Sequence, residues 1–268
     1  MLRRLQSNAH SAEVRLGERH PSYAPCSINV EGKIEQGDFG RFALAVQNGW
    51  AQNCLIFEIF LSSPGGDVHE AIKIGRLIRL LGAKTRAPTK ITSPARGRDG
   101  CALFRIKRRG GCLCGSACVL IWSGGTERSG EEVYVHRPYF IEQFPDPLGR
   151  ASQQAYRDGF VLVSAYMREM NFPQSIIDKM LSTSSANMSQ LTQRELAMVE
   201  NDPVWEELGI RTCGPKYGWR AVRRDNALLP KAIKQSECAE RFFTDHLARL
   251  KPEAMAYIRS VLGASAPR

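Results

Sequence analysis

The strongest constraint on the fold is a strand, a glycine-containing turn and a helix that follow one another along the chain. Residues 54–61 (CLIFEIFL) form an apolar run of strand length. The tight turn SSPGG follows at 62–66. Over residues 67–81 apolar side chains recur at helical spacing, with Asp67 suited to the first turn and Gly82 to the C-terminal cap. Such units build mainly parallel sheets, so the sequence predicts an α/β fold with a mainly parallel sheet flanked by helices.

Further elements are expected on both sides of this unit. They are strands over residues 28–34 and 133–135, a short apolar segment over 116–122, and helices over 151–170, 175–181, 191–200 and 237–250. The longest helix carries a heptad-like apolar seam, which is typical of packing on a core. Val161, Ala165 and Tyr166 give it a second apolar face, which could meet another subunit.

Length and apolar content limit the domain organisation. The 268 residues fit one large domain, or one domain with an appendage. We expect an N-terminal arm over 1–27, the α/β domain over 28–212 and a basic extension over 213–268. No apolar run approaches the roughly 18 residues that a membrane-spanning helix needs.

The positive charge is concentrated in one segment. The chain carries a net charge of +10, and residues 84–109 hold nine basic residues against one aspartate. This basic insertion, residues 84–111, is rich in proline and glycine and lacks the interleaved aromatic residues of a groove for single-stranded nucleic acid. It is either a solvated loop or a docking surface for an anionic partner.

Three short segments carry candidate chemistry. The turn at 62–66 leaves two glycine amides open to an oxyanion or a phosphate, although the same residues also suit a plain tight turn. Ser116, within Cys-Gly-Ser-Ala-Cys at 114–118, has small neighbours and opens a buried helix, similar in logic to a nucleophile elbow. His136 ends the strand 133–135. Acyl transfer needs a nucleophile, a base and oxyanion donors, so the three segments are informative together.

The sequence resembles the ClpP-type serine peptidases of the ClpP/crotonase fold. The resemblance is carried, in family order, by SSPGGDVHEAIKIGRLIR, CGSACVLIWSGGTERSG and VYVHRP. It implies repeated β-β-α units, with Ser116 as the nucleophile, His136 as the general base and the backbone amides of Gly66 and Ala117 as oxyanion donors. It also implies hydrolysis of a peptide or protein substrate through an acyl-enzyme, a homo-oligomer, and no cofactor or metal. The CGSAC turn is similar to that of a secreted or envelope branch, often without a dedicated unfoldase, so an ATPase partner stays open.

Two departures from the family pattern bear on this interpretation. Family members carry an aspartate after the long helix that orients the histidine, whereas this chain has the run LSTSSANMSQ at 181–190, without a carboxylate. The polar candidates in its place are Ser182, Thr183, Ser184, Ser185 and Asn187. Of these we expect Asn187 to accept a hydrogen bond from the Nδ1–H of His136, as an amide can, and a backbone carbonyl is the open alternative. The basic insertion is the second departure, and it could line or cover the substrate cleft.

Two other functions stay open at this point. The missing aspartate is compatible with a non-catalytic member of the family that binds partners. The fold also hosts crotonase-type enzymes that bind acyl-CoA, and a basic loop could meet the CoA phosphates. The Ser–His pair argues against the second alternative, because crotonases use carboxylates.

The eight cysteines leave the compartment open. Cys112, Cys114 and Cys118 do not have the paired CxxC spacing of zinc sites, so we expect no metal. The N-terminus begins like a secretory signal, but no apolar segment follows, which indicates a protein that stays inside the cell or a true start further upstream. The family resemblance instead suggests the envelope or periplasm. In an exported protein, Cys114 or Cys118 should form a disulfide, with each other or with Cys101 or Cys112, and buried free thiols are the alternative.

Overall fold

A mainly parallel sheet lies at the centre of the fold. The computed structural model describes residues 11–17, 25–89, 112–138, 150–217 and 219–263. In these ranges five strands pair in the order β1-β2-β3-β4-β6, namely β1 (Glu13–Leu16), β2 (Pro25–Glu31), β3 (Leu55–Ser62), β4 (Lys84–Arg86) and β6 (Arg128–Ser129). Strand β1 is antiparallel to β2, and the other neighbours are parallel. The predicted α/β fold is confirmed.

The strand–turn–helix unit folds as predicted. Helix α2 (Val68–Leu81) follows Asp67, whose carboxylate accepts the backbone N–H of Glu70 at 2.9 Å. The helix ends at Gly82, which takes a positive φ of 63°. Both caps satisfy backbone groups that the helix itself leaves unpaired, so the turn before α2 and the bend after it are well defined.

A smaller sheet lies beside the first and carries the CGSAC motif. It pairs β5 (Cys114–Gly115), β7 (Val133–Val135) and β8 (Ser189–Gln190) in that order, with β5 parallel to β7 and β7 antiparallel to β8. Helix α3 (Ala117–Ser123) follows β5, with Ser116 as the single residue between them. A backbone bridge between Ser63 and Cys114 joins the end of β3 to β5, so the glycine turn and the CGSAC turn are neighbours.

The other described helices are α1 (Asp38–Ala51), α4 (Arg150–Glu169), α5 (Gln174–Ser182), α6 (Gln193–Met198), α7 (Pro203–Cys213), α8 (Trp219–Arg224) and α9 (Leu229–Leu262). In α4 the seam residues Val163 and Met167 are buried, as predicted. Tyr166 is buried too, and its hydroxyl donates to the Leu120 carbonyl, so it belongs to the core and not to an outward face. Val161 is 68% exposed. No helix in the described part of the chain is long and apolar enough to cross a membrane.

A buried ion-pair network joins the sheet to the later helices. Asp202, which caps α7, pairs with Arg79 of α2 and accepts a hydrogen bond from Asn171 at 2.9 Å. Burial alone would raise the pKa of Asp202, but the hydrogen bonds from Asn171 and Arg79 outweigh it and lower the pKa. Arg128 in β6 donates to three backbone carbonyls, and burial lowers its pKa to about 9. This network holds the start of α7 against the sheet.

The C-terminal extension is largely one helix, and its end packs on the core. The predicted helix over 237–250 is too short, because α9 continues through Pro252 to its buried residues Ala254 and Ile258. Tyr257 meets Phe39 of α1 edge-to-face at 5.8 Å between ring centroids. The last turns of α9 therefore cover α1 and α2.

The basic insertion and the N-terminal arm each contribute one strand to the large sheet. The basic insertion starts in β4, where Lys84 pairs with Glu127 and Arg86 with Glu58, so its first two cations balance carboxylates of the fold. Its remainder from residue 90 lies outside the described residues. In the N-terminal arm, residues 13–16 form β1, while 1–10 and 18–24 also fall outside the described ranges.

Candidate active site

Ser116 occupies a sharp turn between strand and helix. It follows β5 directly and precedes α3, and its backbone has φ 56° and ψ −126°. A residue with a side chain rarely adopts a positive φ, and such a conformation costs on the order of 1–3 kcal/mol. Strained strand-to-helix turns of this kind present the serine of nucleophile elbows. Ser116 is half-buried.

The two glycine-containing turns are in direct contact. A Cβ on Gly65 would lie 2.5 Å from the Ser116 Cβ and 2.9 Å from the Ala117 nitrogen. Gly65 also has a φ of +102°, which favours glycine. Its amide donates to the Ser63 hydroxyl at 3.0 Å, which fixes the turn from the other side. Only a residue without a side chain therefore lets the glycine turn approach the candidate nucleophile this closely.

Gly65→Ala should consequently damage the site. We expect the added Cβ to push the turn at Ser116 aside, lowering the free energy of unfolding by about 1–3 kcal/mol and the rate of Ser116 labelling by about tenfold or more. Gly209→Ala is the matched control, because a Cβ there has no atom within 4 Å and Gly209 lies inside α7. That variant should gain about 0.5–1 kcal/mol in stability. Thermal melts and labelling time courses of both variants would check this, and wild-type labelling in folded Gly65→Ala would contradict it.

Strand pairing brings the backbone of Ser116 alongside the end of the strand that His136 follows. Gly115 pairs with Tyr134 in the parallel β5–β7 ladder, and the Ser116 amide donates to the Tyr134 carbonyl at 3.0 Å. Ser116 and His136 therefore both follow the carboxyl ends of adjacent parallel strands. His136 is 7% exposed, so its ring is held within the structure.

The tautomer of His136 follows from its hydrogen bond. Its Nδ1 lies 2.8 Å from the backbone carbonyl of Arg137. A carbonyl can only accept, so Nδ1 carries the hydrogen, and in the neutral ring Nε2 carries the lone pair. That is the tautomer a general base needs when it takes a proton through Nε2.

The backbone N–H groups of Gly66 and Ala117 are the candidate donors to an oxyanion. The bridge between Ile34 and Gly66 uses the Gly65 carbonyl and the Asp67 amide, so the N–H of Gly66 is directed away from Ile34. Within the described ranges no acceptor takes the N–H of Gly66 or that of Ala117. Gly66 is exposed and Ala117 directly follows Ser116. The N–H of Gly66 can therefore serve an anion that arrives from solvent, whereas the N–H of Ala117 belongs to a buried residue directly beside Ser116.

Within the described residues, Asn187 forms no hydrogen bond with His136. It lies in an exposed turn, where its backbone N–H donates to the Ser184 carbonyl at 3.0 Å. The polar run touches the strand end at Thr183, whose carbonyl accepts the Arg137 N–H at 3.0 Å. The role of Asn187 as the orienting group stays a prediction, and the observed partner of Nδ1 is the Arg137 carbonyl. No sequence signal marks that carbonyl, because every residue has one.

Tyr134 is another ionisable side chain close to the turn. Its hydroxyl donates to the Glu132 carboxylate at 2.6 Å, and this bond, with some burial, raises the pKa of Tyr134 to about 12. A tyrosine with such a pKa stays protonated near neutral pH and is a poor base. Of the two, His136 is the one suited to accept a proton from Ser116.

Cys114 and Cys118 form a disulfide across the turn, which is one of the pairings expected for an exported protein. Their sulfurs are therefore not thiolate ligands for a metal. Further disulfides join Cys26 to Cys54 and Cys213 to Cys238, and Cys112 is also disulfide-bonded. Cys101 lies outside the described residues.

No protein-family model matches the sequence, and no curated protein matches it. Solved structures to which the chain is similar include a mutant of the membrane-bound stomatin-specific protease 1510-N, at 13% identity over 71% of this chain and 84% of that chain, with a TM-score of 0.43. A ClpP1 mutant from Listeria monocytogenes has 13% identity over 65% of this chain and 86% of that chain, with a TM-score of 0.43. A second 1510-N mutant, in complex with a substrate peptide, has 11% identity over 66% and 72%, with a TM-score of 0.41.

Proposed function

We propose that this protein is a serine peptidase that hydrolyses peptide bonds through an acyl-enzyme at Ser116. The observation that carries the proposal is the place of Ser116 and His136 after two paired parallel strands, with Ser116 in a positive-φ turn. Strained backbone of this kind clusters at active sites, where the surrounding structure maintains it. The three motifs that resemble ClpP-type peptidases support the same activity.

The reaction follows from the roles of these groups. The Ser116 hydroxyl oxygen attacks the scissile carbonyl carbon while its proton passes to Nε2 of His136. The oxyanion that forms is held by the N–H groups of Gly66 and Ala117, and each such donor is typically worth about 3–4 kcal/mol. The carbon–nitrogen bond then breaks, and His136 returns the proton to the departing amine. Water attacks the acyl-enzyme by the same route, releasing the acid and regenerating Ser116.

The Arg137 carbonyl would orient the imidazole in this mechanism. It holds the required tautomer as an aspartate does, but a neutral carbonyl stabilises the imidazolium less than a carboxylate. We therefore expect slower turnover than in peptidases with a complete Ser–His–Asp triad. The same neutral partner favours a second candidate function, a non-catalytic protein that binds peptides beside Ser116.

The disulfides support a proposal about the compartment of the protein. Disulfides persist in oxidising compartments and are rare in the cytosol. The three described bonds, together with the bonded Cys112, favour an envelope or extracellular location. We also propose that the protein forms a homo-oligomer and acts on a peptide or protein substrate. The proposed reaction needs no cofactor.

A peptide library would test the function. Cleavage products of a mixed synthetic library, identified by mass spectrometry, should accumulate with the wild-type protein. Prior treatment with a fluorophosphonate should stop the cleavage, because it blocks the serine, whereas a chelator should have no effect. If no product appears while peptides still bind, the non-catalytic alternative is correct. Cleavage that a chelator stops and a fluorophosphonate does not would refute the serine mechanism.

A further inference from the structure

We propose that the Cys114–Cys118 disulfide is a positioning device that holds Ser116 in its positive-φ conformation. The inference rests on the proposed function of Ser116 as the nucleophile. The bond links two residues that flank the serine at equal distance, with their Cα atoms 5.2 Å apart. Both cysteines are fully buried, so the bond is part of the core and protected from reductants in solution.

The two ends of the bond are anchored in different elements. Cys114 belongs to the β5 ladder, where its amide donates to the Glu132 carbonyl at 2.8 Å. Cys118 is the second residue of α3, a helix of only seven residues. The disulfide therefore fixes the start of a short helix to a strand of the sheet, and Ser116 sits in the closed loop between them.

A covalent link suits this turn better than additional hydrogen bonds would. The backbone N–H of Ala117 has to stay open for the oxyanion, so it cannot be used to hold the turn. Of the neighbouring amides, those of Ser116 and Val119 are bonded, to the carbonyls of Tyr134 and Ser116. A disulfide restrains the strained serine without occupying the donor that the proposed reaction needs.

Loop length indicates that this bond acts locally. Stabilisation through restriction of the unfolded chain grows with the length of the closed loop. Cys114 and Cys118 are separated by only four positions, whereas Cys213 and Cys238 are separated by 25. The second bond joins α7 to α9 and serves as a matched control for the loss of one disulfide.

The test compares C114A/C118A with C213A/C238A. In C114A/C118A we expect the rate of fluorophosphonate labelling and the kcat for a cleaved peptide to fall by about tenfold or more, with KM within about twofold of wild type. Hydrogen exchange at the Ser116 and Val119 amides should accelerate by about tenfold or more, because the turn opens locally. In C213A/C238A labelling and exchange at this turn should be unchanged, while the melting temperature should fall further than in C114A/C118A.

Unchanged labelling and exchange in folded C114A/C118A would overturn the inference. C114V/C118A, which retains more of the buried volume, replaces the first variant if that one does not fold. If the wild-type protein itself does not label, the proposed function fails, and the exchange rates of the Ser116 and Val119 amides alone then decide whether the disulfide holds the turn.

Discussion

Ser116→Ala is expected to abolish labelling by a fluorophosphonate and to lower peptide hydrolysis by about 10⁴-fold or more. The reason is that the covalent intermediate requires the hydroxyl oxygen, and neither amide of the oxyanion site can replace it. Because Ser116 is only half-buried, the loss of one oxygen should change the free energy of unfolding by less than about 1 kcal/mol. Intact-mass spectrometry before and after exposure to the probe measures the adduct directly.

Two further variants sharpen this experiment. Ser184→Ala, in the nearby polar run, should label at the wild-type rate. Ser116→Gly should also lose labelling, yet it should be more stable than Ser116→Ala by about 1 kcal/mol, because glycine tolerates the positive φ. An adduct that persists in Ser116→Ala, or that maps to another serine, would exclude Ser116 as the nucleophile.

His136→Gln should slow labelling of Ser116 by about 10²-fold or more, since general-base assistance is typically worth 10²–10⁴. Glutamine fills much of the buried space of the imidazole but cannot take the serine proton near neutral pH. His69→Ala is the control, because His69 is an exposed histidine in the first turn of α2. Pseudo-first-order labelling rates would measure the effect, and equal rates for wild type and His136→Gln would remove His136 from the mechanism.

The same assay decides which group orients the imidazole. If the Arg137 carbonyl does so, Asn187→Ala should label within about twofold of the wild-type rate. If Asn187 is the third member of the site, Asn187→Ala should label more slowly, and Asn187→Asp should match or exceed the wild-type rate by adding negative charge.

Local signals explain why part of the fold could be predicted. The unit around α2 combines an apolar strand, a glycine turn, an acidic N-cap and a glycine C-cap, and each of these acts within a few residues of its own position. Helix α1 was not predicted, although Phe39, Phe42 and Val46 recur at helical spacing and are buried. Gly40 and Gly49 within that helix weaken its signal, because glycine is a poor helix former.

From the sequence, the residue types of the candidate site could be predicted, but not their arrangement in space. Ser116 and His136 could be chosen because a serine between small residues and a histidine at a strand end suit acyl transfer. Their adjacency depends on the β5–β7 register, and the tautomer depends on the Arg137 carbonyl, both of which are tertiary features. The closeness of Gly65 to Ser116 likewise arises from the bridge between Ser63 and Cys114, which no local pattern encodes.

The order of the disulfides along the chain favours direct formation of the correct bonds. In each of the three described bonds, Cys26–Cys54, Cys114–Cys118 and Cys213–Cys238, the later cysteine pairs with the nearest cysteine before it in the chain. If the chain enters an oxidising compartment from its N-terminal end, each later cysteine therefore arrives directly after the cysteine with which it pairs. An oxidant that joins thiols in order of arrival produces these three bonds directly, without the slow reshuffling that interleaved pairings require.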